Sequence, residues 1–152
     1  MSTQTLGVGL QALYERDFVL WAEETARLLR AGAFDDLDIE NLAEEIESMG
    51  RKDRRELRSR LKVLLSHLLK WRIQPDHRSG SWRNTMAIQR SDIDQLLEES
   101  PSLRSRLKDT VANTYQSARE TAAYETGYPV TDFPTVCPFS MEQLLDESYL
   151  PE

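Results

Sequence analysis

The sequence predicts an all-α fold. Four main helices, one of them long (about residues 38–73), are followed by a proline-rich irregular C-terminal segment and a short C-terminal helix. Three observations predict it. The 152 residues contain only 6 Gly and 6 Pro, about 8% against a usual share of roughly 12%. Leu occurs 21 times against 11 for Val and Ile together, and Leu favours helices where β-branched residues favour strands. Apolar residues also recur every three or four positions over long stretches, the period of one face of a helix.

The elements follow in chain order. Residues 1–10 are expected to be flexible, and 11–152 to form a single helical domain. Tyr14, Phe18, Trp21, Thr25, Leu28 and Leu29 mark the inner stripe of a first helix, with Gly32 placed to cap its C-terminus. Asp38 is the expected N-cap of the second helix, with Asp35, Asp36 and Glu40 near the positive end of its dipole. Its stripe runs Leu42, Ile46, Met49, Asp53, Leu57, Leu61, Leu64, Leu68, Trp71 without a phase slip. One helix therefore spans about 38–73, with Gly50 its weak point and Pro75 its stop. Trp21, Leu42 and Trp71 lie on these stripes and are expected to be buried.

Ser81 is read as the cap of a third helix carrying Trp82, Met86, Gln89, Ile93, Leu96 and Leu97. Ser100-Pro101 restarts the chain as an N-cap followed by proline in the first helical turn. The fourth helix carries Leu103, Leu107, Val111, Thr114, Tyr115, Ala118 and Ala122 and ends at Gly127. Pro129, Pro134 and Pro138 make the next segment irregular. Ser140 with Gln143 forms a capping-box pattern for a short helix through about Glu147.

The composition excludes several classes. With 39% hydrophobic residues the chain is too apolar to be disordered. No run approaches the roughly 20 apolar residues of a membrane span. Met1–Gly9 lacks the basic and apolar parts of a secretory signal, and the lone Cys137 has no internal disulfide partner. By default a soluble cytoplasmic protein, with no membrane association, is expected. No cofactor, metal site or catalytic residue is expected either. His67 and His77 lack the Glu-x-x-His spacing of bundle di-metal sites. Gly7-Val8-Gly9 lacks the rest of a phosphate-loop fingerprint.

Charge is segregated along the chain, whose net charge is −7. Residues 1–50 carry 3 basic and 11 acidic side chains, residues 51–90 carry 12 and 3, and residues 91–152 carry 4 and 12. Arg51, Arg55, Arg58 and Lys62 form a stripe opposite the leucines of the long helix. That stripe is a candidate surface for nucleic acid or a protein partner. The competing expectation is a solvated face neutralised by acidic helices of the same chain, which the acidic total favours. A second cluster, His67, Trp71, Arg78, Trp82 and Arg83, surrounds the turn after the long helix. Guanidiniums that fork onto a carboxylate or phosphate, beside flat indole walls, suit a small anion. The alternative there is a packed helical corner.

Five strings carry a family resemblance: Tyr14-Glu15-Arg16-Asp17-Phe18 with Trp21; Asn41 to Glu47 with Met49-Gly50-Arg51; His67 to Trp71 with Gln74-Pro75; Ser81-Trp82-Arg83 with Gln89-Arg90; and Ser100 to Leu103. Asp132-Phe133-Pro134 and Cys137-Pro138-Phe139 extend the match, which covers about Leu13 to Glu152. Together they resemble the bacterial family called domain of unknown function twenty-nine. The resemblance implies a small, stand-alone, all-helical protein and supplies no activity or catalytic residue. The expected function is a non-enzymatic interaction module binding a protein partner or its own copy. Nucleic-acid binding through residues 51–62 and small-anion binding or enzymatic activity at residues 67–90 are the alternatives.

Overall fold

A computed structural model describes residues 9–152 of the chain. The fold class is all-α, with no strand among the described residues. The helices are α1 (Leu10–Arg16), α2 (Phe18–Ala31), α3 (Ile39–Ile73), α4 (Gly80–Glu99), α5 (Ser102–Ser105), α6 (Leu107–Thr126) and α7 (Met141–Leu145). Of the segment expected to be flexible, residues 1–8 lie outside the described residues, and Leu10 already opens α1. One helical domain over 11–152 is the sequence expectation. The described residues gather into two compact units, one ending at Arg51 and one running from Lys52 to Glu152.

In the first unit the single helix expected through Tyr14 and Leu29 is two. Asp17 leaves helical geometry (φ −151°, ψ 87°), and its carboxylate accepts the Leu20 N–H at 3.0 Å. A short acidic side chain competes poorly inside a helix and well at its start, so Asp17 ends α1 and caps α2. Gly32 takes the left-handed conformation expected of it (φ 72°) and closes α2. Trp21 is buried, with Tyr14 edge-on at 5.0 Å and Phe18 stacked at 5.5 Å. Its indole N–H donates to buried Asp38 at 3.3 Å. The Tyr14 hydroxyl donates to Glu45.

Helix α3 is unbroken. Gly50 stays helical, and an Arg51–Glu44 ion pair spans the two turns around it. The inward stripe begins later than the periodicity predicts. Ile46 and Met49 are 60% and 66% exposed, and Leu42 is only half-buried. A period identifies a face, not whether another element covers it. From Leu57 onward the stripe is closed over.

The second unit holds one continuous core. Leu57, Leu61, Leu64, Leu65, Leu68, Leu69 and Trp71 of α3 meet Met86, Ile93 and Leu97 of α4. Val111, Tyr115, Ala118 and Ala122 of α6, with Phe133, Phe139 and Leu144 beyond it, complete the core. The α4 cap is Ser79, not Ser81: Ser79 is extended and its hydroxyl accepts the Trp82 N–H at 3.2 Å. The fourth helix is split at Arg106 (φ −100°, ψ −3°), although buried Leu103 and Leu107 keep the stripe in register across the break. Gly127 closes α6 in the left-handed region (φ 78°). The Ser140–Gln143 capping box is formed, and α7 ends at Leu145, short of the expected Glu147.

Side-chain donors hold the C-terminal segment. Tyr115 Oη donates to Pro134 O at 2.6 Å, and Arg119 reaches Phe133 O at 3.1 and 3.2 Å. Arg90 is buried, and its Nε, Nη1 and Nη2 donate to the carbonyls of Leu144, Tyr149 and Gln143 at 2.9, 2.9 and 3.0 Å. A charge can be buried when its donors are spent in this way. Burial still pushes the Arg90 guanidinium below its ordinary pKa.

Candidate functional site

The basic stripe separates by partner. Arg51 pairs with Glu44, and Arg60, on the same helix, pairs with Asp92 at 3.0 Å and Glu56 at 3.6 Å. Arg55, Arg58 and Lys62 make no ion pair among the described residues. With Ser59 they form one wall of a groove of about 330 Å³, whose other wall is Asn113, Thr114 and Ser117 of α6. Spacings of three and four put each set on one helix face. The acidic surplus of the chain therefore leaves these three cations unpaired. Thr114 is 3% exposed, and its hydroxyl finds no hydrogen-bond partner in the structure. Thr110 and Thr126 of the same helix donate instead to Arg106 O (2.8 Å) and Ala122 O (2.7 Å).

The cluster at the α3–α4 turn divides into two arrangements. In one, Trp71 carries two guanidiniums on its ring, Arg78 at 5.1 Å and Arg83 at 5.3 Å from the centroid. Arg78 Nε is anchored to Trp71 O at 2.8 Å. Ser79 and Gly80 join these three side chains around an open depression of about 270 Å³. Neither Arg78 nor Arg83 pairs with a carboxylate among the described residues.

In the other arrangement, Trp82 lies under Lys70 Nζ at 5.1 Å and edge-on to His67 at 6.4 Å. Lys70 also pairs with Glu125 at 2.9 Å. His67 Nδ1 lies 2.9 Å from Val63 O, which sets it as the donor nitrogen of the neutral ring. Burial pushes the His67 imidazole below its usual pKa, the Val63 bond opposing it. His67 and Trp82 thus pack and brace, while Trp71, Arg78 and Arg83 border open space.

Charge periodicity found the α3 wall of the groove and missed the α6 wall, since Asn113, Thr114 and Ser117 carry no charge to mark them. Arg90, which closes the 67–90 segment, is a clamp on the C-terminal segment. Cys137 is half-buried; its thiol, pushed up in pKa by burial, lies 3.6 Å from Phe139 O.

Among the described residues, no group of three or more His, Cys, Asp or Glu is placed to hold a metal ion. No helix among them is long and apolar enough to cross a membrane. The model of the family described as Domain of unknown function DUF29 matches residues 13–150. No curated protein and no solved structure matches the chain.

Proposed function

Because the chain belongs to the DUF29 family, a description that names no activity, we propose a function from the chain's own surface. It is a non-enzymatic interaction module that docks an anionic segment of a protein partner in the groove between α3 and α6. One observation carries this: Arg55, Arg58 and Lys62 line the groove unpaired in a chain with seven more acidic than basic side chains. The groove offers positive charge and neutral donors, and no carboxylate, imidazole or thiol lines it to move a proton or attack a substrate. The acidic segments of a second copy are one form such a partner takes, and the cytoplasm, where a lone cysteine stays reduced, is its setting.

Fluorescence anisotropy with a labelled Asp/Glu-rich peptide tests the proposal. Binding that weakens steeply with added salt is expected, and it is lost in the Arg55→Gln/Arg58→Gln/Lys62→Gln variant while the melting temperature holds. A labelled single-stranded oligonucleotide that binds more tightly than the peptide would transfer the groove to nucleic acid. Concentration-dependent sedimentation without added peptide would identify the partner as a second copy.

The Trp71–Arg78–Arg83 arrangement supports a second role, small-anion binding at the α3–α4 turn. Titration with inorganic phosphate, followed by Trp fluorescence, is expected to respond in the wild type and not in Arg83→Ala. An equal response in both removes that role.

A further inference from the structure

We infer that the α3–α6 groove is built for a phosphoryl group, carried as a phosphoserine or phosphothreonine on the protein segment it docks. The inference rests on the docking role proposed above and narrows its ligand from anionic to phosphorylated.

Charge count is the first reason. Three unpaired cations on two adjacent turns repel one another. One carboxylate relieves a single charge of that repulsion, whereas a phosphomonoester brings about −1.5 to −2 and three strong acceptor oxygens. Arg55 and Arg58 can each fork onto two of those oxygens, and Lys62 supplies a point charge.

The opposite wall is the second reason. Asn113 and Ser117, both exposed, supply neutral donors for the phosphoryl oxygens that the cations leave free.

Shape separates the candidate phosphates. At about 330 Å³ the groove accommodates a phosphorylated side chain and a short run of backbone. Single-stranded nucleic acid draws much of its binding from bases stacked on aromatic rings, and no aromatic residue lines the groove. The phosphate is therefore assigned to a protein segment.

The test is NMR titration of the full chain, labelled with ¹⁵N, against four probes. These are a Gly/Ala-flanked phosphoserine peptide, its unphosphorylated form, its glutamate form, and an oligothymidylate. The phosphopeptide is expected to bind about tenfold or more tightly than the glutamate peptide, with the largest amide shifts at Arg55–Lys62 and Asn113–Ser117. The Asn113→Ala/Ser117→Ala variant removes the two exposed neutral donors of the α6 wall, so its melting temperature should hold. Its phosphopeptide affinity should fall several-fold, and loss of affinity without loss of stability is the signature a purely structural pair would not give.

Equal affinity for the phospho- and glutamate peptides would overturn the phosphoryl assignment while leaving anionic docking intact. Tighter binding of oligothymidylate would overturn the protein assignment. Binding of no probe would overturn both the assignment and the docking role beneath it.

Discussion

Trp21 and Trp71 are buried almost equally, at 2% and 4% exposure, yet they anchor very different surroundings. Around Trp21 the buried set of the first unit is small: Leu13, Thr25, Leu28 and Asp38. Seven large apolar side chains of that unit remain exposed: Phe18, Val19, Leu29, Phe34, Ile39, Ile46 and Met49. Trp71 instead belongs to a core that runs unbroken through α3, α4, α6 and the C-terminal segment. The burial of one side chain is a local quantity, whereas stability accumulates over contiguous area. The first unit is held by an aromatic triad and a few polar bonds, the second by a leucine core.

The largest test of this contrast is the pair of tryptophan truncations. Trp71→Ala is expected to cost roughly 3–5 kcal/mol, a large part of the roughly 5–15 kcal/mol of a typical domain, and to lower the protection of α3, α4 and α6 together in hydrogen exchange. Trp21→Ala should strip protection from residues 9–51 and leave Leu57–Trp71 protected. If Trp21→Ala instead deprotects the whole chain, the two units unfold as one and the contrast fails. A cost below about 1 kcal/mol for Trp71→Ala would contradict its place in the core.

Buried polar groups sharpen the comparison at an intermediate scale. Arg90→Ala takes the donors from the buried Leu144 carbonyl and the half-buried carbonyls of Gln143 and Tyr149 and empties the space the side chain fills; an unsatisfied buried group alone costs about 1–3 kcal/mol. A loss of about 3 kcal/mol or more in chemical denaturation, with the C-terminal segment released to proteolysis, is expected. Asp38→Ala strands the buried Trp21 indole N–H and also removes the acceptor of the Asn41 backbone N–H and side-chain amide; it should cost about 1–3 kcal/mol, felt in the first unit.

What the sequence made legible follows the same division. Helix α3 was readable because Leu57, Leu61, Leu64, Leu68 and Trp71 are both periodic and covered. Ile46 and Met49 have the same period and lie exposed, and periodicity carries no information about what lies opposite. The breaks at Asp17 and Arg106 were missed because the apolar stripe passes through both in phase. Asp17 did carry a signal, an N-cap residue just ahead of an apolar run. Arg106 carries none. For the groove, charge announced Arg55, Arg58 and Lys62. Their separation from Arg51 and Arg60 depends on where Glu44, Glu56 and Asp92 fall in space, and the uncharged α6 wall depends on tertiary packing alone.

The smallest expected effect is alkaline, and it places one reporter in each unit. Tyr14 is pushed up to about 12, first by its hydrogen bond to Glu45 and then by burial and neighbouring carboxylates. Tyr115 is also pushed up to about 12, chiefly by burial. In each case the folded protein keeps a proton that the unfolded chain releases near pH 10. The native state then binds more protons, so stability falls as pH rises from about 10 and the contribution is gone above about 12. Tyr14→Phe and Tyr115→Phe should each flatten part of that alkaline loss, and subtracting each from the wild type removes the background of titrating lysines. Tyr14→Phe should act on the protection of residues 9–51 and Tyr115→Phe on that of α6 and the C-terminal segment. If both substitutions flatten the loss in the same amides, ionisation at one end is felt at the other, and the small aromatic unit and the leucine core share one cooperative transition.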